Sequence, residues 1–319
     1  MLEVRPIVTQ DTPELGIGDL AARTGVPVRT IRFYCDEGLL EAHRSAGGHR
    51  RFPRSAVDRL DLVRRLRRLG LGLPAIASVL SAERSLPEAV AAERAALDVE
   101  LAALAWRRAA LRAVEEASPA ERAARLDLLA AAHDRTAAHD ALVAFWQRIM
   151  AVRLPGHVES MFFEASAPRP PAEPTPAQVV AYAELVALVA EPGLGRRLAA
   201  RAWANGRRIA DETTLLAGIG EACELARPLV LAGSSPVACA AVDRFVAAYA
   251  EVMRGADTPR FRRELLAATA VDRDPLLRRY WTLIGEVTGD PAPVGTAQAW
   301  LLDALERQAA PTGRARTAS

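Results

Sequence analysis

The chain has 319 residues, of which 50% are hydrophobic and 25% charged, and its formal net charge is +2. This length allows two or more domains with separate cores, and the composition is ordinary for a globular protein. Because no signal peptide and no uninterrupted apolar segment of bilayer length are visible, we expect a cytoplasmic protein with no membrane partner.

The first predicted elements are two short helices joined by a tight turn. The first covers residues 17–24, and Gly25 stands where many helices end in a left-handed residue. Pro27 can open the next helix because the first N–H groups of a helix have no intrahelical partner. This second helix, over about residues 28–37, buries Ile31 and turns its arginines, Thr30 and its aromatic residues outward or to its flank.

A hairpin follows the second helix. Gly38 ends the helix, and Leu39-Leu40 predict the start of a short strand. Residues 44–52 then form a loop in which Gly47-Gly48 allows the positive φ angles of a tight turn. Arginines surround this turn and can reach phosphates, so the loop is predicted to be a wing.

Two further helices complete this region. The third covers about residues 55–69 and has inward-facing apolar residues at helical spacing: Val57, Leu60, Val63 and Leu66. The segment 70–74 breaks it, and a fourth, shorter helix buries Ile76, Val79 and Leu80.

The charge is distributed unevenly. Residues 23–68 contain twelve arginines against five acidic residues, a net +7, whereas the rest of the chain is net acidic. A basic block on a nearly neutral protein is typical of a nucleic-acid-binding module. An arginine-bearing helix fits the major groove of DNA, where guanidinium groups bind guanine edges or phosphates.

Residues 16–80 closely resemble the DNA-binding domain of MerR-type transcriptional regulators. The shared motifs are I-G-x-L-A, T-G-V, R-T-x-R-[FY]-Y, G-L-[LIV], the wing G-[YH]-R-x-[YF] and the second wing L-G-[FL]-x-L, in that order. The resemblance implies a winged helix-turn-helix fold. With the outward-facing Thr30, it gives the candidate contacts to double-stranded DNA as Arg29, Thr30, Arg32, Tyr34, Arg44, His49, Arg50 and Arg67. Cys35 lies among them, and we interpret it as a packing residue rather than a redox sensor.

A long helix is predicted over residues 86–117. Val90, Leu97, Leu104 and Leu111 recur every seven residues, and Leu86, Leu101 and Val114 lie between them at spacings of three or four. This pattern indicates a coiled-coil seam of about four heptads. The alternative is a helix that packs on the core of its own chain. The resemblance favours the first, because MerR-type proteins dimerise through this helix, and a homodimer would suit a palindromic promoter site.

The rest of the chain is predicted to be entirely α-helical. Ser118-Pro119-Ala120-Glu121 and Thr175-Pro176-Ala177-Gln178 are capping boxes that begin helices. Residues 119–152 are predicted to be helical, and the proline-rich stretch 165–176 to be an exposed linker or loop. Further helices are expected near 177–190, 194–210, 212–226, 235–254, 258–270, 274–288 and 295–309.

These elements define the expected domains. We predict disordered tails at 1–15 and 311–319. Between them lie a DNA-binding domain at 16–82, a dimerisation helix at 83–117 and an α-helical effector-binding domain at 118–310. The fold class is therefore mainly α, with a winged helix-turn-helix at the N-terminus.

The C-terminal region shows no pattern of catalysis or metal binding. His133 and His139 are six residues apart and do not share a helical face, and no C-x-x-C pair is present, so we expect no metal site and no cofactor. Nucleophile-elbow, phosphate-loop and dinucleotide motifs are absent, so nothing supports an enzyme fused to the DNA module. The aromatic residues of this region could line a shared cavity or belong to ordinary cores: Trp146, Tyr182, Trp203, Tyr249, Tyr280, Trp281 and Trp300.

The sequence thus predicts a dimeric transcriptional regulator. We expect it to bind promoter DNA, to deform the duplex for RNA polymerase, and to respond to a small-molecule effector of unknown identity in its C-terminal domain. The alternative is that this domain binds a protein partner, which a hydrophobic surface groove in place of an enclosed pocket would favour.

Overall fold

The computed structural model describes residues 14–45, 47–150, 154–206 and 208–309. The chain forms two compact units that divide between Glu100 and Leu101, within the long helix. The two predicted tails lie outside the described residues, apart from Glu14 and Leu15, and Leu15 belongs to a strand.

The N-terminal unit combines short helices with a small antiparallel sheet. Its first helices are α1 (Ile17–Thr24), α2 (Val28–Asp36), α3 (Ser55–Arg68) and α4 (Leu73–Leu80). Its strands are β1 (Leu15–Gly16), β2 (His43–Arg44) and β3 (Arg50–Phe52), in the order β1-β3-β2. Gly25, with φ of 66°, ends α1 and donates its N–H to the Ala21 carbonyl, as the sequence predicts.

Two adjoining apolar clusters hold this unit together. The first joins α1, α2 and α3 through Leu20, Ile31 and Leu60, which are fully buried. The second joins α3 to α4 through Val63 and Ile76. These are the residues that the helical spacing places inward, and Val57, Val79 and Leu80 pack at the margins of the clusters.

The prediction of a strand at Leu39-Leu40 is wrong. Both residues are buried in the turn after α2, and the strand begins at His43. Arg59 donates from Nε to the Leu39 carbonyl at 2.7 Å, which satisfies an acceptor that strand pairing would otherwise satisfy. The two leucines therefore serve as core residues and not as the edge of the wing.

Helix α5 (Leu86–Glu115) is continuous over 30 residues, beginning in the N-terminal unit and ending in the C-terminal unit. Ser85 and Glu88 cap its start, since the Ser85 N–H and hydroxyl both donate to the Glu88 carboxylate. A helix of this length agrees with the segment that the sequence predicts.

The C-terminal unit is helical throughout its described residues. It contains α6 (Arg122–Ala131), α7 (Arg135–Ile149), α8 (Gly156–Ser166), α9 (Pro176–Ala190), α10 (Pro192–Gly206), α11 (Glu212–Leu231), α12 (Ala240–Val252), α13 (Pro259–Ala268), a 3-10 turn (Ala270–Arg273), α14 (Pro275–Thr288) and α15 (Val294–Ala309). One apolar core joins α11, α12, α13 and α15, and a second joins the end of α5 to α7, α9, α10 and α14.

Two predictions for this unit need correction, those for the stretch 165–176 and for Ser118. Residues 119–152 are largely helical as predicted, in two helices, because the chain breaks after α6 and Asp134 caps α7 by accepting the N–H groups of Thr136 and Ala137. The stretch 165–176 is not an exposed linker throughout: Ser166, Ala167 and Pro168 are buried. The capping box of Thr175 with Gln178 forms as expected. The one predicted at Ser118 does not, because the Ser118 N–H and hydroxyl both donate to the Glu121 carboxylate and α6 begins only at Arg122.

Across the described ranges, a single helix with the length and hydropathy needed to cross a bilayer does not occur. The bent pair α9 and α10, which meet at 65°, passes that test only when taken together.

Candidate nucleic-acid interface and ligand cavity

Helix α2 presents its polar side chains because Ile31 fixes it to the core. Ile31 is fully buried, which turns Arg29 and Arg32 into solvent on the opposite side. Thr30 and Tyr34 are half-buried, and the Tyr34 ring also packs against both apolar clusters of the unit. Within the described residues, the guanidinium of Arg32 makes no hydrogen bond, so it is available to an external acceptor.

The wing is a hairpin between β2 and β3. The Ser45 N–H donates to the His49 carbonyl at 2.9 Å, and the Gly48 N–H donates to the Ser45 carbonyl at 2.8 Å. Gly48 has φ of 75°, a conformation that favours glycine, so the turn requires this residue. Arg44 pairs with Arg50 across the hairpin, and this register sets basic side chains side by side.

A basic groove of about 430 Å³ lies between the start of α1, helix α2 and the wing. Its lining residues are Gly16, Ile17, Arg32, Arg44, Gly48, His49, Arg50 and Arg51. The structure therefore brings together four of the eight candidate DNA contacts and adds Arg51, which the sequence does not single out. The other four, Arg29, Thr30, Tyr34 and Arg67, lie outside this groove. A concentration of guanidinium groups without an acidic lining residue suits a phosphate backbone.

Arg50 links the wing to helix α2. Its Nη2 donates to Oδ1 of Asp36, at the end of α2, at 2.9 Å. The carboxylate is largely exposed, so the pair contributes on the order of 1 kcal/mol or less. The contact sets the wing at a defined place beside α2, and part of the charge of Arg50 is already compensated within the protein.

Three arginines of α3 hold the unit together. Arg59 donates to the Leu39 carbonyl, Arg64 to the Thr24 carbonyl and Arg67 to the Leu71 carbonyl. The predicted DNA contact Arg67 therefore lies at the second wing with one donor already used. A charge count from sequence cannot separate these roles, because a structural arginine and a phosphate-binding arginine look the same in composition.

Cys35 lies on α2 beside the candidate interface. Its side chain packs against the first apolar cluster, and burial raises the pKa of the thiol, an effect that nearby Arg50 partly opposes. A raised pKa disfavours the reactive thiolate. The geometry supports the interpretation of Cys35 as a packing residue.

Helix α5 carries two apolar faces. The residues of the predicted seam, Leu86, Val90, Leu97, Leu101, Leu104 and Leu111, are between 39% and 64% exposed. On the opposite face, Trp106, Ala109 and Ala113 are buried in the C-terminal unit. The helix does pack on the chain's own core, but through Trp106 and the alanines and not through the leucine pattern. The leucine seam is exposed in the single chain, and its pairing with a second copy stays a prediction.

The C-terminal unit contains a partly enclosed cavity of about 190 Å³. Its wall is mainly apolar and draws on both cores of the unit, with Leu198 and Leu277 from one side and Leu215 and Ile219 from the other. Aromatic rings complete it: Trp146, Phe162, Tyr249 and Trp281. A partly enclosed apolar space with a few polar groups is the usual form of a small-molecule site.

The seven aromatic residues that the sequence leaves open between a shared cavity and ordinary cores divide between the two, apart from Trp203. Trp146, Tyr249 and Trp281 line it, whereas Tyr182 and Tyr280 are fully buried core residues and Trp300 packs in the other core. Trp203 is 68% exposed on the surface of α10. Sequence reasoning misses Phe162, because α8 lies in a stretch for which it predicts no helix.

Several polar groups also line the cavity. Arg201 donates to the buried carboxylate of Asp272, and Asn205, Glu212 and Gln298 lie nearby in the wall. Burial raises the pKa of Asp272 and of Glu212, and the charge of Arg201 opposes both shifts. The cavity can thus offer hydrogen bonds and charge to a mostly apolar ligand.

Gly295→Ala is expected to expel Trp281 from the cavity wall. A Cβ on residue 295 would lie 2.0 Å from ring atoms of Trp281, so the ring can occupy this place only over a glycine. Overpacking of this kind costs about 1–3 kcal/mol. Thermal unfolding should show the loss, together with a changed tryptophan emission. Gly220→Ala is the control, since the added methyl group on α11 would meet no other atom within 4 Å. An unchanged emission in Gly295→Ala would contradict the packing described.

Comparison with known proteins agrees with this N-terminal architecture. The family described as "MerR HTH family regulatory protein" matches residues 15–83. Nodulation protein NolA of Bradyrhizobium sp. (strain NC92) is 38% identical over 87 residues, 27% of this chain and 37% of that protein. The HTH-type transcriptional activator TipA of Streptomyces coelicolor is 39% identical over 74 residues, 23% of this chain and 29% of that protein. The mercuric resistance operon regulatory protein of Bacillus cereus is 40% identical over 65 residues, 20% of this chain and 49% of that protein.

The family match ends at residue 83, before the start of α5, and the similarities to these three relatives cover 20–27% of this chain. The chain spans about a third of the length of the NolA relatives, and no solved structure matches it significantly. The C-terminal unit is therefore described by its own geometry alone.

Proposed function

Because residues 15–83 form a MerR-family helix-turn-helix domain, we propose that the protein is a dimeric, sequence-specific DNA-binding transcriptional regulator. The basic groove between α2 and the wing is the observation that carries this proposal. It gathers Arg32, Arg44 and Arg50 with His49 at one surface, where a duplex can be held by its phosphates and read at its base edges.

The dimer is proposed from the open leucine seam of α5. A 30-residue helix with a heptad stripe in solvent fits a second copy of the same helix, since the partner would bury what the single chain exposes. Two copies related by a two-fold axis would place two DNA-binding domains on a palindromic promoter site. We propose that the dimer deforms this site so that RNA polymerase can use it, which would give specificity at bases that the protein does not touch.

The effector is proposed to occupy the cavity of the C-terminal unit. The rings of Trp146 and Trp281 offer apolar area, and the group around Arg201 offers polar anchors. A partly enclosed cavity of about 190 Å³ supports a small molecule more than a protein partner, which would need a larger, open apolar groove. An apolar, aromatic compound with one polar end fits this wall.

A thermal-stability screen of the whole protein against a compound library tests the effector. A compound that binds only the native state should raise the melting temperature. At a concentration of 100 times its dissociation constant, such a compound adds about 2.7 kcal/mol to the free energy of unfolding. The same compound should change tryptophan emission and shift the affinity for the DNA upstream of the protein's own gene in a gel-shift assay. The variant Ala202→Phe, which fills the cavity from α10, should lose the thermal response.

A screen without hits, combined with co-purification of a specific protein on the C-terminal unit, would instead establish the partner-binding function. Absence of binding to any upstream fragment would remove the DNA-binding proposal itself.

A further inference from the structure

The wall of the cavity continues into a buried polar contact. Trp146, whose ring lines the cavity, donates from Nε1 to the Tyr280 hydroxyl at 2.8 Å and to the Ser166 carbonyl at 3.2 Å. The Tyr280 hydroxyl in turn donates to the same Ser166 carbonyl. One carbonyl therefore receives two donors, and the position of the Trp146 ring is tied to the backbone at Ser166.

Ser166 begins a short buried segment, Ser166–Pro168, which lies between α8 and α9. Two residues further along the backbone, the Pro168 carbonyl accepts a hydrogen bond from the Tyr182 hydroxyl at 3.3 Å. The two tyrosines come from α14 and α9, so this segment is pinned at both ends by hydroxyl groups of neighbouring helices. Both tyrosines are fully buried, and burial raises the pKa of each, so they act here as neutral donors.

Tyr182 then contacts the dimer helix. Its ring lies edge-on to Trp106 of α5, with centroids 5.5 Å apart and an interplanar angle of 87°. Trp106 is buried, and the guanidinium of Arg135 lies over its ring at 5.8 Å. The indole is thus held on both sides, on the face of α5 opposite the open leucine seam.

We infer that the segment Ser166–Pro168, with Tyr280 and Tyr182, transmits occupancy of the cavity to Trp106 on α5. The inference rests on the proposed function of the cavity as an effector site. Close-packed cores pass small displacements on instead of absorbing them. A displacement of the Trp146 ring moves its two acceptors, the Tyr280 hydroxyl and the Ser166 carbonyl. Tyr182 follows through its hydrogen bond to the Pro168 carbonyl, and its contact with Trp106 carries the displacement to α5, the helix that also bears the open leucine seam.

The test uses filling of the cavity in place of an unidentified ligand. Ala202→Phe on α10 and Ala299→Phe on α15 each add a ring to the cavity from a different helix. The whole protein is labelled with 5-fluorotryptophan, and its five tryptophan resonances are assigned by single Trp→Phe replacements. We expect filling to shift the fluorine resonances of both Trp146 and Trp106. Because the two substitutions are independent, misfolding of one leaves the other as the test.

A second set of variants removes the proposed hydrogen bonds and keeps the apolar core packed. In the background Tyr182→Phe with Tyr280→Phe, two hydroxyl groups are lost and both rings remain, so filling should still shift the Trp146 resonance while the Trp106 shift falls by at least half. Thr288→Val is the matched control, since it removes from α14 a hydroxyl that binds only local backbone. A Trp106 resonance that does not respond to filling, or that responds undiminished in the double background, overturns the inference.

DNA affinity, measured on the same variants, judges the proposed function separately. A Trp106 response with unchanged DNA affinity would support the relay and contradict the effector role of the cavity. A change in DNA affinity without a shift of the Trp106 resonance would support that role and overturn the relay.

Discussion

Replacing Leu97 and Leu104 together with aspartate is expected to convert the protein from a dimer into a monomer. In the single chain these side chains are 47% and 62% exposed, so the carboxylates can be solvated and the fold of each unit should survive. In a helix pair the same carboxylates would be buried against apolar side chains, which costs several kcal/mol for each charge left without a partner. Light scattering on the purified protein should show half the wild-type mass.

Val99→Asp is the matched control for this change. Val99 is 68% exposed on the same helix, but it lies on the side of α5 away from Leu97 and Leu101. It introduces the same charge into the same helix, so a dimer that survives Val99→Asp and is lost in the double variant locates the interface on the seam. A double variant that remains dimeric would place the interface outside the seam, for example on the helices that follow α5.

The dimer prediction also has a consequence for DNA binding. A monomer presents one α2 and one wing to the duplex, so it contacts only one half of a palindromic site and loses the contribution of the other. The double variant should therefore bind a half-site as the wild type does and lose its preference for the full site.

The local elements could be predicted because their signals lie within a few residues. Gly25 ends α1 by its own left-handed conformation, and the capping box at Thr175 needs only a partner three residues away. The leucine repeat of α5 predicts its helical length, since apolar spacing and the absence of glycine act along one helix.

The site could be predicted only in part because its members are assigned by contacts distant in sequence. Arg59 and Arg64 look like DNA-binding residues in a charge count, yet they bind carbonyls 20 and 40 positions away. Leu39-Leu40 have strand-like character, but the carbonyl of Leu39 accepts a hydrogen bond from Arg59. The wing itself could be predicted because its glycines and arginines are adjacent.

The cavity shows the same limit. Which aromatic residues line it depends on how two cores meet, and neither core has a sequence signature. Tyr182 and Tyr280 resemble Tyr249 in the sequence, but the first two donate their hydroxyls to buried carbonyls and the third faces the cavity. The sequence predicts Ser166–Pro168 to be exposed because proline-rich segments usually are, whereas here donors from α7, α9 and α14 satisfy its carbonyls and allow it to be buried.

Arg32→Ala is expected to weaken binding to the promoter site and to relax its sequence preference, at a cost of about 1–3 kcal/mol if the guanidinium reads a base edge. Arg32 is exposed on α2, lines the basic groove and uses none of its donors within the described residues, so its full hydrogen-bonding capacity is left for DNA. Arg50→Ala should also weaken binding, but part of its effect would come through the wing, because its guanidinium is shared with Asp36.

Gel shifts on the cognate site and on point-substituted sites, each over a range of salt concentrations, separate these contributions. Loss of a base contact changes the ranking of sites, and loss of a phosphate contact lowers the salt dependence equally for all sites. Arg263→Ala, an exposed arginine on α13, is the control for charge alone. Affinities equal to the wild type for both Arg32→Ala and Arg50→Ala would show that the groove is not the DNA interface.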